Sequence, residues 1–150
     1  MSGAKLRQEA KRWYRQAEDD MEAASGLLLI EKYAQACFYA QQAAEKALKA
    51  VGFFLDLDPW GHSCTRLIQN FPDEEQQFFS DVVGNAKALD KLYIPTRYPD
   101  ALAEITPAEA FTKPEAKAAI LSAREIINYV EKRIHGVATE LEDQRFEDGQ

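Results

Sequence analysis

FYAQQAAEKALKA, residues 38–50, carries the pattern from which the architecture follows, and it lies within a longer segment from about residue 32 to 55. On a helix that turns about 100° per residue, its alanines and Leu48 fall on one apolar arc covering about half of the circumference. An ordinary surface helix has an apolar stripe of roughly 100°. We therefore predict that neighbours cover this helix on two sides. The remaining arc carries Glu45, Lys46 and Lys49.

The composition predicts one globular domain with an acidic tail. The chain has 150 residues and a net charge of -7, from 18 basic and 25 acidic residues. This balance disfavours duplex nucleic acid as a partner, because proteins that bind it present a basic face. Five of the acidic residues and only one arginine follow Gly136. We predict a domain over residues 1–141 and a disordered acidic tail over residues 142–150.

No motif indicates a metal, a cofactor or a membrane. Cys37 and Cys64 lack metal-ligand spacing, as do the two histidines, His62 and His135. The pattern favours reduced thiols in a cytoplasmic protein. The amino terminus lacks the pattern of a signal peptide, and no apolar run is long enough to span a bilayer.

The remaining periodicity predicts an all-α fold, a bundle of four substantial helices with an antiparallel first pair, an extra short helix and a long loop before the last helix. A first helix over residues 6–29 forms a hairpin with the second. Ser63 caps a short third helix, and a fourth runs from residue 73 to 92. Three prolines keep residues 93–111 irregular. Thr112 opens the last helix with a capping box, T-K-P-E.

Three blocks carry a family resemblance: FYAQQAAEKALKA, then GHS at residues 61–63, then LDKLYIPTRYPDA at residues 89–101. In this order they resemble the HEPN family, named for nucleotide binding in higher eukaryotes and prokaryotes, over residues 6–135. The resemblance implies an up-and-down four-helix bundle that commonly forms homodimers. It also implies a nucleotidyltransferase partner, because many prokaryotic members are encoded beside a minimal nucleotidyltransferase. A related domain lies at the end of the large chaperone sacsin.

Many HEPN proteins are metal-independent ribonucleases, marked by an arginine followed four to six residues later by a histidine. This sequence departs from that pattern, since only Ile134 separates Arg133 from His135. On a helix those two side chains point about 200° apart. The resemblance therefore assigns no catalytic residue and favours a protein without ribonuclease activity. An active site shared across a dimer is the alternative.

The loop before the last helix offers the groups for a ligand. Arginine suits phosphate or carboxylate, and tyrosines offer stacking surfaces. The candidate ligand-binding residues are Arg97, Tyr98, Tyr93, Lys46, Lys49 and His62. We predict that His62 and Arg97 lie on one side of the bundle. The alternative is that Arg97 pairs with Asp100 or with the carboxyl end of a helix, while the tyrosines hold the loop against the bundle.

A second basic cluster lies in the first helix, where Lys11, Arg12 and Arg15 flank Trp13 and Tyr14. These residues have the chemistry to contact a phosphate and a base. The alternative is an amphipathic first turn with a buried tryptophan.

Three functional hypotheses follow. The first is a non-catalytic HEPN module, working as a homodimer, that binds a nucleotide, a nucleotidyltransferase partner or both. The second is a ribonuclease toxin with a non-standard pair, Arg97 or Arg133 with His62 or His135. The third is a dimerising scaffold without a ligand.

Overall fold

The computed structural model describes the backbone from Ser2 to Asp148 and the side chains from Ser2 to His135. In that part of the chain every regular element is helical, which confirms the all-α prediction. The helices are α1 Gly3–Leu29, α2 Tyr33–Phe54, α3 Cys64–Gln69, α4 Asp73–Phe78, α5 Val83–Asp90, α6 Pro107–Ala110 and α7 Lys113–Asp148, with 3₁₀ turns at Ser80–Val82 and Pro99–Ala101. The up-and-down order of four helices stays a prediction.

Helix α2 is covered on two sides, as its broad apolar arc predicts. It packs against α1 on one side and against α7 on the other. Six of its alanines have no exposed surface, and alanine lets a neighbouring backbone come close. Glu31, with a positive φ of 63°, makes the turn from α1 to α2. The turn closes with a hydrogen bond from the Lys32 amide to the Leu27 carbonyl.

The single fourth helix predicted over residues 73–92 is wrong, because the structure divides it into α4 and α5. The interruption is the 3₁₀ turn Ser80–Val82. Serine, aspartate and the β-branched valines have lower helix propensity than alanine or leucine, and Asp81 accepts a hydrogen bond from the Tyr129 hydroxyl of α7 at 2.9 Å. The turn allows Phe79 and Val82 to be buried together. Apolar spacing alone does not show this local preference.

Helix α7 begins as its capping box predicts. The Thr112 hydroxyl accepts from the Glu115 amide, and the Glu115 carboxylate accepts from the Thr112 amide. Steps of four and three predict an apolar seam along this helix, at Ala116, Ile120, Ala123, Ile127, Val130, Ile134, Val137 and Leu141. Of its first six positions, five are buried and Ile120 is half-buried. Its last two positions, Val137 and Leu141, lie outside the described side chains. The domain boundary at residue 141 and the disordered tail stay predictions.

The amino end of α3 is fixed by two caps. Ser63 is its N-cap, as predicted, and accepts a hydrogen bond from the Arg66 amide at 3.1 Å. Asp90, at the end of α5, accepts from the Ser63 hydroxyl, the Cys64 amide and the Thr65 amide at 2.6–3.2 Å. A carboxylate is favoured at this end of a helix by the macrodipole. Asp90 thus ties α3 to α5.

Replacing Asp90 with alanine is expected to lower the free energy of unfolding by about 1–2 kcal/mol, because two amides and a hydroxyl lose their acceptor. Urea denaturation of Asp90→Ala beside Asp100→Ala, an exposed aspartate, measures the difference. A loss no larger in Asp90→Ala than in Asp100→Ala would show that the cap contributes nothing.

Both cysteines are buried free thiols. Burial raises the pKa of Cys37 to about 12, and burial with the neighbouring Asp90 raises the pKa of Cys64 as well. We expect neither thiol to react with a disulfide reagent at pH 8 until the protein unfolds, because the thiolate is the nucleophile. The folded state holds the Cys37 proton more tightly than the unfolded state, in which the thiol pKa is near 9. The free energy of unfolding therefore decreases as the pH rises from about 9 toward 12. Rapid labelling of folded protein would contradict the prediction.

Candidate functional site

The loop after α5 is ordered by its own hydrogen bonds. The hydroxyl of the buried Thr96 donates to the Leu92 carbonyl, and the Arg97 amide donates to the Ile94 carbonyl at 3.1 Å. The Arg97 Nε donates to the Tyr93 carbonyl at 3.0 Å. The position of the Arg97 side chain is therefore set within its own loop.

Three aromatic rings surround the Arg97 guanidinium. Its Cζ lies 4.3 Å from the ring centre of Tyr93, 4.6 Å from that of Phe38 and 4.9 Å from that of Tyr98. Among the described side chains, no carboxylate lies within 4.0 Å of it, so the predicted alternative of an Arg97–Asp100 pair is not observed. Arginine has five N–H donors, and only the one on Nε bonds to a described residue. The four donors on its terminal nitrogens are available for a ligand.

His62 joins this cluster through Tyr93. The two rings stack 4.5 Å apart with an angle of 15° between their planes. The Nδ1 of His62 lies 3.2 Å from a carboxylate oxygen of Glu45, and its side chain is 57% exposed. His62 and Arg97 thus lie on one side of the bundle, as predicted. We call Phe38, His62, Tyr93, Arg97 and Tyr98 the Arg97 cluster.

A buried ion pair lies behind His62. Glu45 and Lys49, only 3% and 8% exposed, are joined by an Nζ–O distance of 3.2 Å. Gln41 donates to Glu45 and also to the His62 carbonyl. Three side chains, Gln41, Lys49 and His62, therefore contact the carboxylate of Glu45, and these polar contacts offset the cost of its burial. Lys49 is neutralised here and does not add charge to the Arg97 cluster.

Lys46 also lies apart from the Arg97 cluster. Its Nζ bonds to Asp20 of α1, a carboxylate that is 4% exposed and also accepts from Gln16. The structure therefore brings together four of the six candidate residues, pairs Lys49 with Glu45 behind His62, and pairs Lys46 with Asp20 of α1. Sequence reasoning did not assign Phe38 or Gln41 to the site. Two sequence features could have indicated them: Phe38 is an aromatic residue on the polar arc of α2, and Gln41 precedes Glu45 by one helical turn.

Arg133 and His135 contact different parts of the bundle. Arg133 binds Glu75 of α4 through both Nε and Nη2, at 2.6–2.9 Å, and this carboxylate raises the pKa of the guanidinium. The His135 ring packs edge-on against Tyr14 of α1, with ring centres 5.3 Å apart. Arg133 therefore ties α7 to α4, and the two side chains do not form a joint site.

The fold and the cluster together define an all-α helical domain with an arginine stacked among aromatic rings beside a carboxylate-bound histidine. The family model of the HEPN domain matches residues 10–133, so the chain belongs to the HEPN family. None of the helices in the described part of the chain has the length and hydropathy of a membrane span.

Solved structures of similar chains support the same assignment. A protein of Thermus thermophilus is 41% identical, with a TM-score of 0.78, over 83% of this chain and 97% of its own. An archaeal HEPN homologue is 37% identical, with a TM-score of 0.71, over 84% of this chain and 98% of its own. A HEPN domain protein of Thermotoga maritima is 29% identical, with a TM-score of 0.60, over 83% and 98% respectively.

One curated relative carries a functional name. It is a protein of Methanocaldococcus jannaschii named "Putative toxin", 25% identical over 129 residues, which are 81% of this chain and 85% of the relative.

Proposed function

We propose that this protein is a non-catalytic HEPN module that binds a nucleotide through the Arg97 cluster. The observation that carries the proposal is the state of Arg97: three rings hold its guanidinium, and its terminal nitrogens bond to no described residue. A guanidinium held by stacking has already lost much of its conformational freedom, so less is lost when it binds an anion. Its remaining N–H edge matches two oxygens of a phosphate.

Two neighbours supply the other contacts that a nucleotide needs. Tyr98 is 50% exposed and offers a surface on which a base can stack. Because the Nδ1 of His62 faces Glu45, its Nε2 is the nitrogen available for a hydrogen bond. In this proposal Arg97 holds the phosphate, Tyr98 stacks on the base, and His62 hydrogen-bonds to the sugar.

Isothermal titration calorimetry with ATP, GTP, AMP, adenosine and inorganic phosphate tests the proposal. We expect binding of the phosphorylated nucleotides, weaker binding of adenosine, and an affinity that falls with ionic strength because the contact is charged. Absence of binding by every nucleotide at millimolar concentration would contradict it. If the protein also remains a dimer and keeps its protein partner in Arg97→Ala and in Lys46→Ala, a ligand-free scaffold is favoured.

We also propose that the module works as a homodimer and contacts a minimal nucleotidyltransferase encoded beside it, as the family resemblance implies. Light scattering on the purified protein measures its mass in solution, with twice 17.0 kDa expected. Co-expression with the product of the neighbouring reading frame, followed by affinity purification, tests the second part. A monomer, or a neighbour that does not co-purify, would contradict the respective part.

A second candidate function is a ribonuclease toxin that uses His62 and Arg97. One observation favours it: the buried Glu45 orients His62, an arrangement that suits a histidine for acid–base chemistry. Arg97, which also packs against the Tyr93 ring, would hold the scissile phosphate. The name of the Methanocaldococcus jannaschii relative agrees with a toxin.

Incubation of the purified protein with total RNA separates the two functions. A ribonuclease predicts cleavage by the natural protein and none by His62→Ala or Arg97→Ala, together with growth arrest on expression. Intact RNA and normal growth with the natural protein would exclude this candidate.

A further inference from the structure

A second groove lies between α1 and α2, apart from the Arg97 cluster. It has a volume of about 510 Å³ and is lined by Glu9, Arg12, Trp13, Arg15, Gln16 and Lys46. We call it the Trp13 groove. Its volume lies in the range of small-molecule sites.

Among the described side chains, the groove carries one unpaired cation. Three cations and one carboxylate line it, and carboxylates neutralise two of the three cations. Arg12 bonds to Glu9 and Lys46 to Asp20. Arg15 forms no hydrogen bond or ion pair with any side chain in residues 2–135, so its charge is available to an anion.

The apolar wall is a fixed indole. Trp13 Nε1 donates to Glu9 at 3.2 Å, and the ring packs 5.3 Å from the ring of Phe53. The Lys49 Nζ lies 5.7 Å from the indole centre. A half-buried indole held by three neighbours is a rigid surface for a planar ligand, and it needs little ordering when that ligand binds.

We propose that the Trp13 groove binds a nucleoside phosphate, with its base against the indole and its phosphate on Arg15 and Arg12. The ligand is either a free mononucleotide or one unit of a single strand. This inference deepens the proposed function and rests on it for the ligand class. The two sites are linked through Lys49, whose Nζ lies 5.7 Å from the Trp13 indole centre and pairs with the Glu45 carboxylate that His62 contacts.

Intrinsic fluorescence isolates this groove. The chain has two tryptophans, so Trp60→Phe leaves Trp13 as the only indole, and Trp60 is itself highly exposed. AMP and a ten-residue oligouridylate are titrated into this variant, with free indole measured in parallel to correct for absorbance. We expect saturable quenching with at least one of the two ligands.

Arginine variants decide whether the quenching arises in the groove. Arg15→Ala and Arg12→Ala, both at exposed positions, are expected to weaken binding about tenfold each, whereas Arg66→Ala on α3 serves as the matched control. Saturation by AMP identifies a mononucleotide site, and saturation by the oligouridylate alone identifies a strand site. Quenching that never saturates, or that Arg12→Ala and Arg15→Ala leave unchanged, would overturn the proposal.

The two sites fail separately in this design. One outcome is that Arg97→Ala abolishes the nucleotide binding measured by calorimetry, while Trp60→Phe shows no saturable quenching. The Trp13 groove is then refuted and the proposed function stands. If the fluorescence titration saturates while Arg97→Ala changes nothing, the groove binds nucleotide and the Arg97 cluster does not.

Discussion

Replacing Arg97 with alanine is expected to weaken nucleotide binding by about 10- to 100-fold. Hydrogen bonding to a charged phosphate would be lost, and one such bond contributes roughly 1.5–3 kcal/mol after exchange with water, which corresponds to about 10- to 100-fold in affinity. Arg97 makes no ion pair with the described residues, so its charge is not needed to neutralise a carboxylate. Calorimetry with the tightest-binding nucleotide measures the change.

Arg97→Lys is the informative companion to this variant. Lysine keeps the charge but cannot stack as a planar group or bind two phosphate oxygens side by side. We therefore expect it to recover only part of the affinity lost in Arg97→Ala. Arg66→Ala, an exposed arginine on α3, should bind as the natural protein does. Equal affinity of Arg97→Ala and the natural protein would remove the Arg97 cluster as the site.

Replacing Glu45 with methionine is expected to lower the free energy of unfolding by about 3–5 kcal/mol, because it leaves the charge of Lys49 buried without a partner. Lys49 is only 8% exposed. Lys49→Met should cost less, since Gln41 and His62 still donate to Glu45. Urea denaturation gives both values.

The double variant Glu45→Met with Lys49→Met separates stability from function. Because it removes both charges together, we expect it to recover most of the stability lost in Glu45→Met. It also removes the acceptor that orients His62, so nucleotide affinity should stay below that of the natural protein. A Glu45→Met variant as stable as the natural protein would contradict the account of the buried pair.

Local patterns predicted the elements that depend on local physics. The wide apolar arc of α2 indicated two neighbours, and the caps at Ser63 and Thr112 were confirmed. The break at Ser80–Val82 was missed, because periodicity reports which face is buried and says little about the continuity of the backbone.

Only the part of the candidate site that lies within one loop could be predicted from the sequence. Tyr93, Arg97 and Tyr98 share one loop, so sequence alone suggested that they act together. The contact of Arg97 with Phe38 joins residues almost sixty positions apart, and no local pattern encodes it. Lys49 was taken for a surface cation because its burial depends on Trp13 and the His62 loop, which pack over it from other parts of the chain.

The central claim is that the terminal nitrogens of Arg97 hold the phosphate of a nucleotide. The most direct test is nuclear magnetic resonance of the arginine side chains in ¹⁵N-labelled protein, titrated with the nucleotide that calorimetry identifies. We predict that the Arg97 guanidinium resonances shift progressively to saturation with the calorimetric affinity, while those of Arg66 and Arg133 stay in place. Saturation with no change at Arg97 would contradict the claim.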